Sequence, residues 1–356
     1  MKHLKSLVMV ATSVALIGIA CSKDTPTTET TLVGNWVKRT VYGGDDVAGA
    51  ASFVINNVAY VGTGYDGNKR YSDLYSFDGV SWSQKADMPA AAIKRNSAAA
   101  FAIGTKGYIV GGSCDANLAP NGRLQDVWEY DADMGMWTAT AKNSLPDLNA
   151  TAGSGGRYGA VGFAIKGKGY ISCGYTGKSQ NDMWEFDPTG MAGMGSWTKK
   201  TSMPSTDKRT SAAVFVYKDS AYIVSGISNG TTVNEMFMYS ATNDKWTQKR
   251  NIANTSSETY DDTYSSIMRS DAVGFIMGTK GYLTTGINNS YNNTTWEYDF
   301  ATDLWSQKTA FERTERSNAV AFTINGRGFV GLGKNTTFYT GNFEEFFPTA
   351  TLNAND

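Results

Sequence analysis

Short apolar runs, each followed by a small polar turn and a second apolar run, recur along the chain from residue 51 onward. The first copy is Ala51-Ser-Phe-Val-Ile, then Ala59-Tyr-Val-Gly-Thr-Gly64. The phrase returns at Ala99 with Gly107-Tyr-Ile-Val-Gly-Gly112, at Val161 with Gly169-Tyr-Ile-Ser-Cys-Gly174, and at Ala213 with Ala221-Tyr-Ile-Val-Ser-Gly226. Copies five and six are Val273 with Gly281-Tyr-Leu-Thr-Thr-Gly286, and Val320 with Gly328-Phe-Val-Gly-Leu-Gly333. The marker aromatics Tyr60, Tyr108, Tyr170, Tyr222, Tyr282 and Phe329 are 48, 62, 52, 60 and 47 residues apart. A period in this range is the mark of a radial or solenoid array.

Each copy continues with two more strand signals. Leu74-Tyr-Ser-Phe-Asp78 leads to Trp82, Val127-Trp-Glu-Tyr-Asp131 to Trp137, and Met183-Trp-Glu-Phe-Asp187 to Trp197. Met236-Phe-Met-Tyr239 leads to Trp246, and Thr295-Trp-Glu-Tyr-Asp299 to Trp305. Four short strands bounded by Gly, Asn and Asp predict an antiparallel meander. Such a sheet has two faces to bury, which packing copies around an axis satisfies. The expectation is an all-β, six-bladed propeller. Copy six lacks its Trp strand, while Gly34-Asn-Trp-Val-Lys-Arg-Thr-Val41 has no partner before copy one. Trp36 is therefore expected on the outer strand of blade six, closing the ring and removing an exposed edge.

Arg-Xaa-Ser before the first strand, Tyr-Ile-Val-Gly-Gly on the second, Trp-Glu-Tyr-Asp on the third and Trp on the fourth resemble the kelch repeat. The resemblance covers residues 35 to about 347. It implies the fold strongly and the function weakly, because kelch propellers bind proteins, glycans and small molecules and a few are enzymes. The architecture is similar to that of bacterial six-bladed kelch proteins such as the sialic acid mutarotase, which works without a cofactor.

The N-terminus carries a different pattern. Basic Met1–Ser6 precedes an apolar run from Leu7 to Ala20, too short to span a bilayer and suited to a signal peptide. Leu16-Ile-Gly-Ile-Ala-Cys21 resembles a bacterial lipobox, with Gly18 where Leu is usual. The division expected is 1–20 signal peptide, 21–33 polar tether lipidated at Cys21, 34–347 propeller and 348–356 tail. That places the protein in the cell envelope of a Gram-negative bacterium, held at the outer membrane by lipid alone, facing the periplasm or the surface.

Composition narrows the chemistry. Lys plus Arg number 32 and Asp plus Glu 33, so no strong field recruits nucleic acid. His3 is the only histidine, which excludes histidine-dependent triads and imidazole metal sites. Some kelch relatives are copper-radical oxidases, and that chemistry is rejected on the same ground. Cys114 and Cys173 read as isolated thiols. The acid pairs Asp45–Asp46 and Asp261–Asp262 lack calcium-loop spacing, so no metal and no cofactor are expected.

The recurring Trp82, Trp137, Trp197, Trp246 and Trp305 read as core between blades. Tyr65, Tyr71, Tyr175 and Tyr291 fall in loops outside that pattern. An arginine precedes the first strand in five copies, as Arg95, Arg157, Arg209, Arg269 and Arg316, whereas copy one has Val47-Ala-Gly49. Two readings stay open. The arginines line the mouth of the central channel and bind ligand with Tyr65, Tyr175 and Tyr291, or they brace neighbouring blades through backbone carbonyls. Arg157 and Arg269, which follow the long insertions 138–156 and 247–267, are expected to touch ligand, and Arg95 to be more structural. The function expected is non-enzymatic binding of a carbohydrate or protein by a monomer. The alternative is a cofactor-independent carbohydrate enzyme, a sialic acid mutarotase or epimerase, with Glu258 and Glu312 as scattered acids.

Overall fold

The computed structural model of the chain describes residues 32–146, 155–253 and 264–356. The signal peptide, Cys21, Glu258, Asp261, Asp262 and parts of both insertions lie outside the described residues. The described chain forms six four-stranded antiparallel sheets and no α-helix. Blade one shows the pattern, with Ala51–Ile55, Val58–Gly62, Leu74–Phe77 and Trp82–Gln84 paired in chain order.

Blade six breaks chain order in the way the unpaired N-terminal strand predicts. Its strands run Val320–Ile324, Arg327–Gly331 and Asn342–Phe347, and Asn35–Val41 adds the outer strand. Trp36 lies opposite Phe346, stacked on it with ring centroids 4.5 Å apart, and meets Phe311 edge-on at 4.9 Å. Residues beyond Phe347 fold back over this strand: Gly34 N donates to Ala350 O at 2.9 Å, and Asn353 N to Asn35 Oδ1 at 2.7 Å.

The core is six apolar clusters, one at each junction between neighbouring blades. Sequence makes them alike. The Phe at the centre of each first strand reaches the next blade where the residue before the marker aromatic is Gly or Ala. At Gly107 and Gly169 a Cβ would lie 2.1 Å from Phe53 and 2.2 Å from Phe101, so the missing side chain lets the blades close up. The outer-strand tryptophans clasp backward. Trp137 donates to Ala86 O at 2.8 Å, Trp197 to Asn143 O at 3.0 Å and Trp246 to Thr201 O at 2.7 Å. The core assignment of these rings stands.

Candidate functional site

The channel mouth is built from the residue two after each repeat arginine. Ser97, Ser211, Asp271 and Asn318, with Gly49 and Gly159, all adopt left-handed backbone, φ between 53° and 66°. This turn aims each N–H at the preceding blade. Ser97 N donates to Gly49 O, Gly159 N to Ser97 O, and Ser211 N to Gly159 O, over 2.7–3.0 Å. Asp271 N to Ser211 O, Asn318 N to Asp271 O and Gly49 N to Asn318 O complete a closed ring of six backbone hydrogen bonds. One step further on, Ala50, Ala98, Ala160, Ala212, Ala272 and Ala319 line the channel with six methyl groups.

The five arginines are not part of this lining, which corrects the mouth-lining expectation. Each is at most 3% exposed. Each donates through Nη1 to the carbonyl sixteen residues later: Gly111, Cys173, Ser225, Thr285 and Leu332. These acceptors share left-handed backbone, φ 51–63°, which turns their carbonyls inward. In blades two to four the guanidinium also holds a carboxylate on or just before the third strand. Arg95 grips both oxygens of Asp126 at 2.5 and 2.8 Å, and Arg157 those of Asp182 at 2.8 and 2.7 Å. Arg209 pairs with Glu235. Trp128 and Trp184, two residues after their acids, donate to the same carboxylates at 2.7 Å. A guanidinium committed on these sides is a brace within its blade, and it offers nothing to the channel. Glu312 accepts from Trp36 N at 2.9 Å, and Cys114 is a free thiol as expected, buried, with burial pushing its thiol up. Cys173 sits at a left-handed carbonyl position just beyond its strand, fully buried.

Above the backbone ring lies an open bowl of about 420 Å³. Three tyrosines form part of its wall: Tyr65, Tyr158 and Tyr339. Tyr65 donates to Gly67 O at 2.7 Å, lies under the Arg70 guanidinium at 4.8 Å and meets Tyr339 edge-on at 6.4 Å. Tyr175 backs Tyr158, ring centroids 5.4 Å apart, without lining the bowl itself. Tyr71 is buried and donates to Asp66, and Tyr291 pairs with Ile287 in a short hairpin on the blade-five loop. Asn96, Ser97, Ser211 and Asn318 supply amides and hydroxyls. Asp271 and Lys334 are the charged groups in the lining. Burial pushes the Asp271 carboxyl up, opposed by hydrogen bonds from serines and by Lys334. Among the described residues no cluster of His, Cys, Asp and Glu is arranged to hold a metal ion.

Tyr158, Tyr339, Asp271 and Lys334 escape a reading that follows the arginines. The signal that finds the mouth is the Gly, Ser, Asp or Asn fixed two places after each repeat position, a left-handed turn signature.

The arginine–acid pair is complete in three blades and halved in the rest. Blade one keeps the acid, Asp73, but has Val47 in place of the arginine, and Val47 is buried. Burial, then Asp87 and Asp45, push the Asp73 carboxyl up to about 6, while Lys94 pulls the other way. The folded chain therefore binds this proton more tightly than the unfolded chain, so stability falls as pH rises from about 4 through about 6. Asp73→Asn is expected to be more stable than the parent at about pH 8 and no more stable below about pH 4. Denaturant unfolding at the two pH values checks this; an equal difference at both would show that the charge is irrelevant.

No protein-family model matches the chain. An N-acetylneuraminate epimerase of Pasteurella multocida (strain Pm70) is 28% identical over 121 residues, covering 33% of this chain and 31% of that protein. The match thus spans about a third of the relative's length. The solved structure of YjhT superposes with a TM-score of 0.66 over 85% of this chain and 95% of that one, at 16% identity. At that identity the likeness is one of fold: a six-bladed propeller.

Proposed function

We propose that this kelch-type six-bladed propeller is a binding protein that takes a polyhydroxylated ligand, a carbohydrate, in the bowl at its channel mouth. The observation that carries the reading is the lining itself. Tyr65, Tyr158 and Tyr339 offer ring faces and edges to the apolar face of a sugar, and Asn96, Asn318, Ser97 and Ser211 can exchange hydrogen bonds with its hydroxyls. The backbone ring beneath holds these groups on a rigid base, so little ordering is needed on binding. Tyr175 acts by supporting Tyr158. Display as an exported lipoprotein through Cys21 belongs to the same proposal, and loss of labelled palmitate incorporation in Cys21→Ser tests it.

The test of the site is a glycan array on the soluble form beginning near Thr31, followed by titration of Tyr158→Ala and Tyr339→Ala. Each variant is expected to lose about tenfold in affinity, the loss of one stacked ring of roughly 1.4 kcal/mol, with its melting temperature nearly unchanged. Retention of full affinity by both would remove the bowl from consideration.

A second reading is catalytic, and two observations favour it: the relative named an N-acetylneuraminate epimerase, and a carboxyl beside an ammonium in the bowl, Asp271 and Lys334. On that reading Asp271, whose carboxyl burial pushes up, moves a proton at the sugar's anomeric centre. Anomer exchange of N-acetylneuraminate followed by NMR separates the two readings. Acceleration lost in Asp271→Asn would favour the enzyme, and none from the parent would favour the binding protein.

A further inference from the structure

Blade five holds an arginine with no counter-ion among the described residues. Arg269 is 1% exposed, and where blades two, three and four place Asp126, Asp182 and Glu235, blade five has Thr294. Its Nη1 donates to Thr285 O at 2.8 Å and Thr294 O at 3.1 Å. Its Nη2 donates to Thr294 Oγ1 at 2.6 Å and to Ser266 O. All four acceptors are neutral. A second acceptor supplied elsewhere is missing too. Nε of Arg95, Arg209 and Arg316 donates to the carbonyl two residues earlier, at 3.0–3.1 Å, whereas Nε of Arg269 is buried with no partner among the described residues. Burial pulls the guanidinium down to about 9. In blade six Arg316 also lacks the acid, but Glu344 lies near enough to hold its charge partly in place.

An enclosed cation without an anion is the costliest arrangement of this pair. We propose that the Nε–Nη2 edge of Arg269 is an anion site that takes a carboxylate, bound side-on by two parallel N–H donors. The repeat shows the pairing chemistry on the neighbouring edge, since Arg157 receives a carboxylate through Nη1 and Nη2 from within its own blade. In blade five the carboxylate comes from outside. It takes the place of the Ser266 carbonyl on Nη2 and meets the unpartnered Nε, while Thr294 keeps its hydroxyl on Nη2. Among the described residues that edge is covered by the single turn Tyr264–Ile267, in which Ser266 is partly exposed and Ser265 exposed. The site is separate from the bowl. Asp271, the acid in the bowl, is two residues further on, and it is influenced by Lys334 and serine hydroxyls instead.

The probe is sodium acetate, with acetamide and sodium chloride as controls at constant ionic strength. For the parent, the melting temperature is expected to rise saturably with acetate and to stay flat with acetamide. Chloride is expected to have a weaker effect, since a single spherical ion cannot offer each of two parallel N–H donors its own in-line oxygen. Thr294→Asp supplies an internal carboxylate, as blade three does. It should melt higher than the parent in plain buffer and lose at least tenfold in apparent acetate affinity. Thr294→Glu, which copies the Glu235 arrangement of blade four, serves if the shorter acid is poorly tolerated. An absent acetate response in the parent would overturn the proposal. So would an unchanged response in whichever acidic variant folds, or an equal response to chloride, which would indicate screening alone.

Discussion

Trp36→Ala is expected to lose about 3–5 kcal/mol of stability, the range for removing a buried large aromatic. That is a large share of a typical margin of roughly 5–15 kcal/mol. Trp36 is fully buried, stacked on Phe346 and edge-on to Phe311 and Phe275, so it joins the N-terminal strand to blade six and to the cluster shared with blade five. Its backbone N–H, held by Glu312, anchors the start of the closing strand. Losing that strand leaves Asn342–Phe347 as a bare edge. Trp82, the outer-strand ring of blade one, is only partly buried, and Trp82→Ala is the internal comparison. Urea unfolding of both variants reads the difference. If Trp36→Ala were no less stable than Trp82→Ala, closure would depend on the strand's backbone ladder and not on the indole.

How far the sequence could be read depends on whether a feature repeats. The blades, the core aromatics and the closing strand are legible because a six-fold repeat exposes any position that must stay apolar, small or unpaired. The glycines before the marker aromatics are legible as repeats, but their reason, the Phe53 and Phe101 rings lying where a Cβ would be, needs the packing. The arginines show the limit. Their repetition is plain, yet a mouth and a brace predict the same spacing. What separates them is the acid two residues ahead of the third-strand aromatic, in Asp126-Val-Trp128 and Asp182-Met-Trp184. That acid is in the sequence, but nothing there says that it meets an arginine 31 or 25 residues earlier. The bowl is harder still. Tyr339 and Lys334 come from a loop of blade six, and Tyr158 from the approach to blade three, so only closure of the ring brings them together.

Arg157→Ala is expected to destabilise the propeller by about 3–5 kcal/mol, the range for breaking a buried ion pair by removing one partner. Asp182 is 4% exposed and would keep one indole donor, Trp184 Nε1 at 2.7 Å, but no counter-charge. The carbonyl of Cys173 would lose its 2.9 Å donor as well. Arg157→Lys should recover only part of this, because an ammonium is a single point charge and cannot match both carboxylate oxygens and that carbonyl in one plane. Removing both charges, in Arg157→Ala with Asp182→Ala, should be less damaging than Arg157→Ala alone, since no isolated carboxylate is left in the interior. Arg95→Ala should follow the same pattern with Asp126, which is more exposed than Asp182, and so with a smaller loss. Binding in the bowl is the readout that distinguishes a brace from a contact. At a temperature where Arg157→Ala is still folded, its affinity for the glycan that the array returns should equal that of the parent. A folded Arg157→Ala that melts normally and binds tenfold more weakly would restore the arginine to the site and overturn the brace.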